Sequence, residues 1–258
     1  MNLEEKEVID KLIKNAEQTA GRYTHPIFTV GHNSKPDLIG TSVIIELDNK
    51  IYLLTAAHVL TSAASMNIIA IGLEGKITPI STEWFFAEQL DGVEFDVAFT
   101  ELSAELAAEV EALPSSNLLH TEPNQGEHFC LVNGYPSSKN KPSKALRQPS
   151  KYASKSYSFV SYLNYDFDQW DDVNKDPEWH YCSAHGRKQG NQAPLKPNGL
   201  SGGGLWVIPN IAEPKLYLAG VYIEHYTHKK VSFSTRIDKV IETIILKRPN
   251  KSLKSDSK

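Results

Sequence analysis

The sequence predicts an all-β fold, a sandwich or a barrel, with an amphipathic helix before it and another helix at its C-terminal end. From about residue 27 onward, short β-branched and aromatic runs follow one another, separated by turn residues such as Asp48-Asn49 and Glu74-Gly75. Strands this short and closely spaced are typical of sandwiches and barrels rather than of β-α-β units. Outside this region, apolar residues recur at helical spacing over 2–20 and again over 237–246.

The predicted elements follow in the order helix, first β block, connector, second β block, helix. In the helix over 2–20, Glu and Lys stand between the apolar positions. A shorter helix is expected within 102–113, and Pro114 ends it or follows it closely. The connector lies near 113–125, and the Lys/Ser-rich tail is expected to be disordered. The strand-forming runs are IFTV, TSVIIEL, KIYLLTA, MNIIAIGL and FDVAFTEL in the first block, and HFCLVNGY, SYSFVSYLNY, KLYLAGVYIEHY and KVSFSTRI in the second.

The overall composition is that of a globular protein. Of 258 residues, 40% are hydrophobic and 22% are charged, and the formal net charge is −4. These values exclude a disordered chain, a collagen-like repeat and a disulfide-dense miniprotein. Such mild acidity gives no reason to expect nucleic acid or a membrane surface as a partner. We expect a cytoplasmic protein, because the N-terminal segment carries charges throughout and lacks the apolar core of a secretory signal.

Three short motifs carry the residue types that acyl-transfer chemistry needs. LLTAAH ends at His58, FDVAF embeds Asp96 among apolar residues, and NGLSGGG places Ser201 in a glycine loop. Singly, each has an ordinary explanation: a satisfied histidine, a turn aspartate and a tight turn. Together they supply a nucleophile, a base that titrates near neutrality and a carboxylate that orients the base. The N–H groups of Gly199 and Ser201 are placed in sequence to bind an oxyanion.

The motifs LLTAAHVL, FDVAF and GLSGGGLW resemble the three signatures of trypsin-like serine peptidases with the chymotrypsin fold. The order His58, Asp96, Ser201 differs from that of α/β-hydrolases, in which the aspartate and the histidine follow the serine. The resemblance covers about residues 25–247. It implies two antiparallel six-stranded β-barrels, with His58 and Asp96 on the first, Ser201 on the second, and the active site in the cleft between them.

The resemblance divides the chain and implies an activity. The expected parts are an N-terminal helix over 1–24, a first barrel over 25–118, a second barrel with the C-terminal helix over 119–247, and a tail over 248–258. The implied activity is serine endopeptidase hydrolysis of a protein or peptide substrate through an acyl-enzyme, without metal or organic cofactor. Two alternatives stay open. One is a catalytically silent binding or regulatory module, and the other is a peptidase effector inside a multi-protein defence or stress system.

Two departures from the family pattern bear on activation and on disulfides. Secreted members have an aspartate before the nucleophile that pairs with a newly released amino terminus, whereas this chain has Leu200. We therefore expect the oxyanion loop to form without propeptide cleavage. Cys130 and Cys182 match half-cystines of the family, but the position of the usual partner of Cys130 is Val207 and the partner of Cys182 is also missing. Both are expected to be buried thiols.

The family alignment also suggests a specificity pocket, although it leaves the preferred substrate residue open. The family's aspartate at the pocket base is absent, so a preference for Lys or Arg is not supported. Glu224 nevertheless offers a carboxylate to a basic side chain. The residues expected to line the pocket are Leu195, Ile223, Glu224, His225 and Ser232.

Other patterns have weaker functional interpretations. His180, Cys182 and His185 have the spacing of metal ligands, but only three cluster, in a region that otherwise matches a strand and a loop, so we expect no metal site. The basic stretch 139–155 and the acidic stretch 166–178 are expected to be surface loops. The N-terminal helix is expected to dock on its own barrels or on a regulatory protein partner, and a membrane-surface role is not favoured, because its polar face mixes Glu with Lys.

Overall fold

The computed structural model describes most of the chain as a mainly β protein in two halves. The described residues are 3–31, 36–62, 68–90, 92–121, 128–140, 154–164, 170, 173–184, 197–210 and 212–247. The first half is a sheet of seven strands, and the second half is a closed barrel of six strands. A helix precedes the first strand and another follows the last, as the sequence predicts.

The bounds of these elements are as follows. The helices are α1 (Leu3–Tyr23), α2 (Ala57–Thr61), α3 (Ala104–Ala107) and α4 (Ile237–Lys247), and a 3₁₀ turn spans Ser115–Asn117. The strands of the first half are β1 (Thr24–Val30), β2 (Pro36–Leu47), β3 (Lys50–Ala56), β4 (Ile68–Leu73), β5 (Lys76–Pro79), β6 (Phe85–Leu90) and β7 (Val93–Glu101). Those of the second half are β8 (Phe129–Gly134), β9 (Tyr157–Asn164), β10 (His180–Ala184), β11 (Gly204–Val207), β12 (Tyr217–Tyr226) and β13 (Val231–Arg236).

The first half departs from the expected six-stranded barrel. Its strands run antiparallel in the order β5-β4-β1-β2-β3-β7-β6, and within the described residues β5 and β6 end the sheet without pairing with each other. Two strands, β5 and β6, lie outside the predicted strand-forming runs, and β5 has a local cause. Glu74 and Gly75 adopt positive φ values of 46° and 80°, which fold the chain after β4 back into the hairpin with β5. Strand β6 contains Glu88 and Gln89 and lacks a continuous apolar run, so the sequence pattern does not predict it.

The second half closes as expected. Its order around the barrel is β10-β13-β12-β11-β8-β9, and all of these pairs are antiparallel. Helix α4 continues directly from β13 and buries one apolar face, of which Val240 and Ile244 are fully inaccessible. The periodicity of residues 237–246 therefore correctly predicts an amphipathic helix packed on the barrel.

One hydrophobic core joins the two halves and the N-terminal helix. The same cluster of buried side chains contains Leu54 of the first sheet, Trp206 of the barrel and Ala20 of α1. Helix α1 ends with Tyr23, whose ring centroid lies 6.3 Å from that of Trp206. The helix thus docks on its own protein. Of the helices in the described part of the chain, none is long and apolar enough to span a membrane.

The connector between the halves forms backbone hydrogen bonds with both of them. Leu113 donates its N–H to the carbonyl of Ile44 at 3.0 Å and accepts from the N–H of Glu46 at 2.8 Å. A few residues later, the N–H of Leu119 donates to the carbonyl of Leu218 on the barrel at 2.9 Å. These bonds fix how the chain passes from the sheet to the barrel.

The two cysteines are buried and form no disulfide, as expected. Cys130 is 2% exposed and packs in the core that joins the halves, whereas Cys182 is 1% exposed and packs in a second cluster. Burial raises the pKa of the Cys130 thiol to about 12, because the thiolate would be far from water. Cys130 is therefore an inert packing residue at neutral pH.

Candidate active site

His58 stands at the junction between β3 and α2. The strand ends at Ala56 and the helix begins at Ala57, and these two small, fully buried residues let the chain turn tightly. The backbone N–H of His58 donates to Asp96 Oδ1 at 2.9 Å, and its ring Nδ1 lies 2.6 Å from Asp96 Oδ2. Because a carboxylate can only accept, Nδ1 carries the proton and Nε2 of the neutral ring is left to accept another one.

A β-bulge presents Asp96 to this histidine. In the β6–β7 pairing, Ala87 faces Val97 but Gln89 faces Glu94, so two residues of β7 stand opposite one residue of β6. Asp96 adopts a φ of 49°, a left-handed conformation that costs a non-glycine residue about 1–2 kcal/mol. Its side chain is 10% exposed. The sequence carries one hint of this bulge, since Asp tolerates positive φ better than most residues.

The carboxylates around His58 stabilise its protonated form. The pKa of His58 is raised chiefly by the hydrogen bond to Asp96, and burial of the ring opposes this effect. The negative charges of Asp96, Glu224 and Glu94 raise the pKa further. A histidine in this environment is suited to receive a proton and to hold it as a cation.

The loop that carries Ser201 is held by a strand of the other half. Thr41 of β2 donates its N–H to the carbonyl of Ser201 at 2.9 Å and its hydroxyl to the carbonyl of Gly199 at 2.7 Å. The same hydroxyl accepts from the N–H of Tyr135 at 2.9 Å. Gly202 has a φ of +87°, and a Cβ there would collide with the carbonyl of Thr41. The sequence NGLSGGG therefore folds around one threonine of the first sheet.

The barrel holds the same loop from the other side. The N–H of Gly202 donates to the carbonyl of Tyr222, and the N–H of Tyr222 donates to the carbonyl of Gly203, both at 2.7 Å. Leu200 is fully buried and packs against Gly134. Within the described residues, the N–H groups of Gly199 and Ser201 donate to no protein acceptor, so they can serve an oxyanion.

A cavity of about 430 Å³ brings the three motifs together. The hydroxyl of Ser201 lies 3.5 Å from the carbonyl oxygen of Ile223, at the outer limit of a hydrogen bond. No hydrogen bond between Ser201 and His58 is present among the residues described, and such bonds commonly tighten only when substrate binds. The lining residues are His58, Glu94, Asp96, Pro197, Asn198, Ser201, Tyr222, Ile223, Glu224 and His225.

Three of the five residues expected to form the specificity pocket line this cavity: Ile223, Glu224 and His225. A second β-bulge lies at Ile223, because Tyr222 faces Ser234 and Glu224 faces Phe233 across β13. Ser232 lies behind the wall, fully buried, with its hydroxyl 3.2 Å from the Tyr222 hydroxyl and 3.3 Å from Nδ1 of His225. Leu195 lies outside the described residues.

Sequence reasoning missed two charged residues at this site, Glu94 and Lys175. Glu94 lines the cavity two positions before Asp96, which is the only local signal for it. The ammonium of Lys175 lies 2.5 Å from Glu94 Oε2 and 3.1 Å from Glu224 Oε2. Lys175 is a single cation in an acidic stretch, and no pattern in the sequence connects it with residues so distant in the chain.

The described residues contain no group of three or more His, Cys, Asp and Glu side chains arranged to hold a metal ion. Of the three residues with ligand spacing, His180 and Cys182 lie buried on β10, and His185 is outside the described residues. Most of the basic stretch 139–155 and part of the acidic stretch 166–178 also lie outside them.

Comparisons with protein-family models and with curated proteins find no match for this chain.

Proposed function

We propose that this chain is a serine endopeptidase of the trypsin-like class. The observation that carries the proposal is the 2.6 Å contact between His58 Nδ1 and Asp96 Oδ2 in the same cavity as Ser201. A carboxylate that orients an imidazole next to a serine on a glycine loop is the arrangement that acyl transfer requires. In this proposal the seven-stranded sheet corresponds to the family's first barrel.

The reaction would proceed in two stages. Ser201 Oγ attacks the peptide carbonyl while His58 Nε2 takes its proton, and the same proton then goes to the leaving amine. The N–H groups of Gly199 and Ser201 receive the negative charge that develops on the carbonyl oxygen, and each such donor is typically worth about 3–4 kcal/mol in the transition state. Water, deprotonated by His58, then hydrolyses the acyl-enzyme and restores Ser201.

The structure bears on how such an enzyme would be activated. Leu200 is fully buried at the position where a zymogen-type aspartate would stand, and Thr41 already holds the loop on either side of it. These contacts support a loop that forms without propeptide cleavage. A regulatory partner acting through α1 and a cytoplasmic location remain predictions from the sequence.

The alternative of a catalytically silent binding module has one observation in its favour. The Ser201 hydroxyl lies near the carbonyl of Ile223 and is not hydrogen-bonded to His58. A fluorophosphonate separates the two functions, because it reacts only with a serine that a neighbouring base activates. Absence of labelling at Ser201 in the folded protein would favour the binding module.

We expect Ser201→Ala to abolish labelling and to lower kcat by about 10⁶, because the three residues act as a unit. The measurement is fluorophosphonate labelling followed by proteome-wide profiling of cleavage sites with wild type and variant. Ser116→Ala is the matched control, since Ser116 is an exposed serine of the 3₁₀ turn and lies outside the cavity. Cleavage that survives in Ser201→Ala would contradict the proposal.

A further inference from the structure

A buried ammonium joins the two halves of the molecule beside the candidate site. The side chain of Lys175 is fully inaccessible to solvent, and its Nζ contacts Glu94 at 2.5 Å and Glu224 at 3.1 Å. Glu94 belongs to β7 of the sheet and Glu224 to β12 of the barrel. Both carboxylates line the cavity and are partly exposed to it, at 35% and 41% respectively.

The ion pairs leave the cavity wall with an unbalanced charge. Taking an ammonium out of water is unfavourable unless anions surround it, and two carboxylates meet that need for Lys175. One positive charge faces two negative charges, so the group as a whole is an anion. If the ammonium were removed, Glu94 and Glu224 would both face the cavity without a counter-ion.

The backbone behind Lys175 is firmly anchored. Trp179 packs edge-on against Phe95, the neighbour of Asp96, at a ring-centroid distance of 5.9 Å. The carbonyl of Trp179 accepts from the N–H of Arg236 at 2.9 Å, and the N–H of His180 donates to the carbonyl of Asp176 at the same distance. These contacts place Lys175 at a defined point between the sheet and the barrel.

His58 lies within reach of this group. The titratable side chains that line the cavity with it are Asp96 and Glu94 on β7 and Tyr222, Glu224 and His225 on β12. The charges of Glu224 and Glu94 act on His58 and favour its protonated form. The ammonium of Lys175 carries the opposite charge, and its two ion pairs fix where these carboxylates stand.

We propose that Lys175 is a positioning residue of this site. Its ammonium holds the carboxylates of Glu94 and Glu224 in place where the two halves meet, and it thereby sets the electrostatic environment of His58. The part of the inference that concerns turnover rests on the proposed function. The part that concerns the charge on His58 does not.

The test is a titration of the His58 imidazole that is monitored by NMR, in the full chain carrying Ser201→Ala. We expect Lys175→Met to raise the midpoint of His58 by about 0.5–1 pH unit, because a positive charge near the ring is lost. Lys175→Arg, which keeps the charge, is expected to stay near the wild-type midpoint. An unchanged midpoint in folded Lys175→Met would overturn the proposal.

Glu224→Gln keeps the test decisive if Lys175→Met does not fold, because it removes a partly exposed group and leaves Lys175 paired with Glu94. Its expected effect has the opposite sign, a lower His58 midpoint, since a negative charge near the ring is lost. A midpoint that does not move in Glu224→Gln would also overturn the proposal.

The pH dependence of fluorophosphonate labelling supplies an independent readout. If Ser201 is the nucleophile, the acidic limb of the pH profile of fluorophosphonate labelling in Lys175→Met shifts upward by the same amount as the NMR midpoint. A merely structural role of Lys175 would lower labelling at every pH without moving this limb. A shift of the His58 midpoint without any labelling of Ser201 would contradict the proposed peptidase function and would still support the inference about Lys175.

Discussion

Both oxygens of the Asp96 carboxylate are bound to a single residue. One accepts the backbone N–H of His58 and the other contacts its ring, so the same group holds the first turn of α2 and orients the imidazole. The left-handed conformation of Asp96 is the local cost of this arrangement. At the scale of single residues, the site thus depends on backbone conformations that most side chains would not adopt.

Gly202 shows how closely such conformations are constrained. We expect Gly202→Ala to lower the free energy of unfolding by about 3–5 kcal/mol, because the added methyl group is strained at positive φ and also collides with Thr41 and Thr55. Gly92→Ala is the matched control, since Gly92 has a similar φ of +84° and open space around its Cβ position. The control is expected to cost only about 1–2 kcal/mol.

Urea denaturation of the two variants measures this difference. Equal losses in both would mean that the backbone strain alone matters and that Thr41 does not press on the loop. Fluorophosphonate labelling of any folded Gly202→Ala protein would then show whether the serine loop has moved.

At the scale of elements, helix α1 is held by a narrow face. Ala16 and Ala20 are 7% and 0% exposed, and the small side chains allow the helix to approach the barrel closely. An exposed ion pair between Arg22 and Glu111 lies at its end, and such pairs contribute at most about 1 kcal/mol. Burial of this face, together with the packing of Leu12 and Tyr23 on the same core, is therefore the main attachment.

We expect Ala20→Arg to detach α1 and to lower the free energy of unfolding by more than about 2 kcal/mol, because Ala20 is fully buried and a guanidinium there would lose its contact with water. Gln18→Arg, on the exposed face of the same helix, is the control and is expected to change stability by less than about 0.5 kcal/mol. Limited proteolysis within α1, compared for the two variants, measures the detachment. Equal protection of both would contradict this role of the alanine face.

The sequence predicts the elements whose residue pattern is visible within a short stretch of the chain. The helices over 2–20 and 237–246 show the period of an amphipathic helix. Four of the six barrel strands, β8, β9, β12 and β13, lie within the predicted strand-forming runs, whereas β10 and β11 lie outside them. The candidate residues His58, Asp96 and Ser201 were found because their residue types and order are visible along the chain. Strands β5 and β6 were missed, since a short hairpin and a polar edge strand lack such a pattern.

The remaining features of the site depend on pairing between distant segments. The bulges at Asp96 and Ile223 arise from the register between strands, which no single strand specifies. Lys175 meets Glu94 across 81 positions of the chain. These contacts become visible only when the sheet and the barrel are assembled.

At the scale of the whole molecule, buried histidines couple stability to pH. Burial lowers the pKa of His180 to about 4, and the nearby charge of Lys175 acts in the same direction. Between about pH 6.5 and pH 4 the unfolded chain therefore binds a proton at this residue that the folded protein does not bind, so stability falls as the pH falls. His25 behaves alike, because burial lowers its pKa to about 4 as well.

We expect the loss of unfolding free energy between pH 7 and pH 5 to be about 1–2 kcal/mol smaller in His180→Gln than in wild type, because the variant cannot bind this proton. His228→Gln is the control, since His228 is exposed in the turn between β12 and β13. Urea denaturation at the two pH values gives the comparison. A loss in His180→Gln as large as in wild type would show that His180 does not contribute.

The threonine under the serine loop has a consequence for the order of folding. The hydroxyl of Thr41 and the carbonyl of Gly199 are 158 positions apart in the chain, and its backbone N–H bonds to the carbonyl of Ser201 over a similar separation. Contacts of such long range form late, because the chain between them must first be ordered. On a ribosome, the loop cannot take its final shape until the barrel has emerged and met the finished sheet. If Ser201 is the nucleophile of the proposed peptidase, its reactivity is therefore expected to be the last property that a newly made chain acquires.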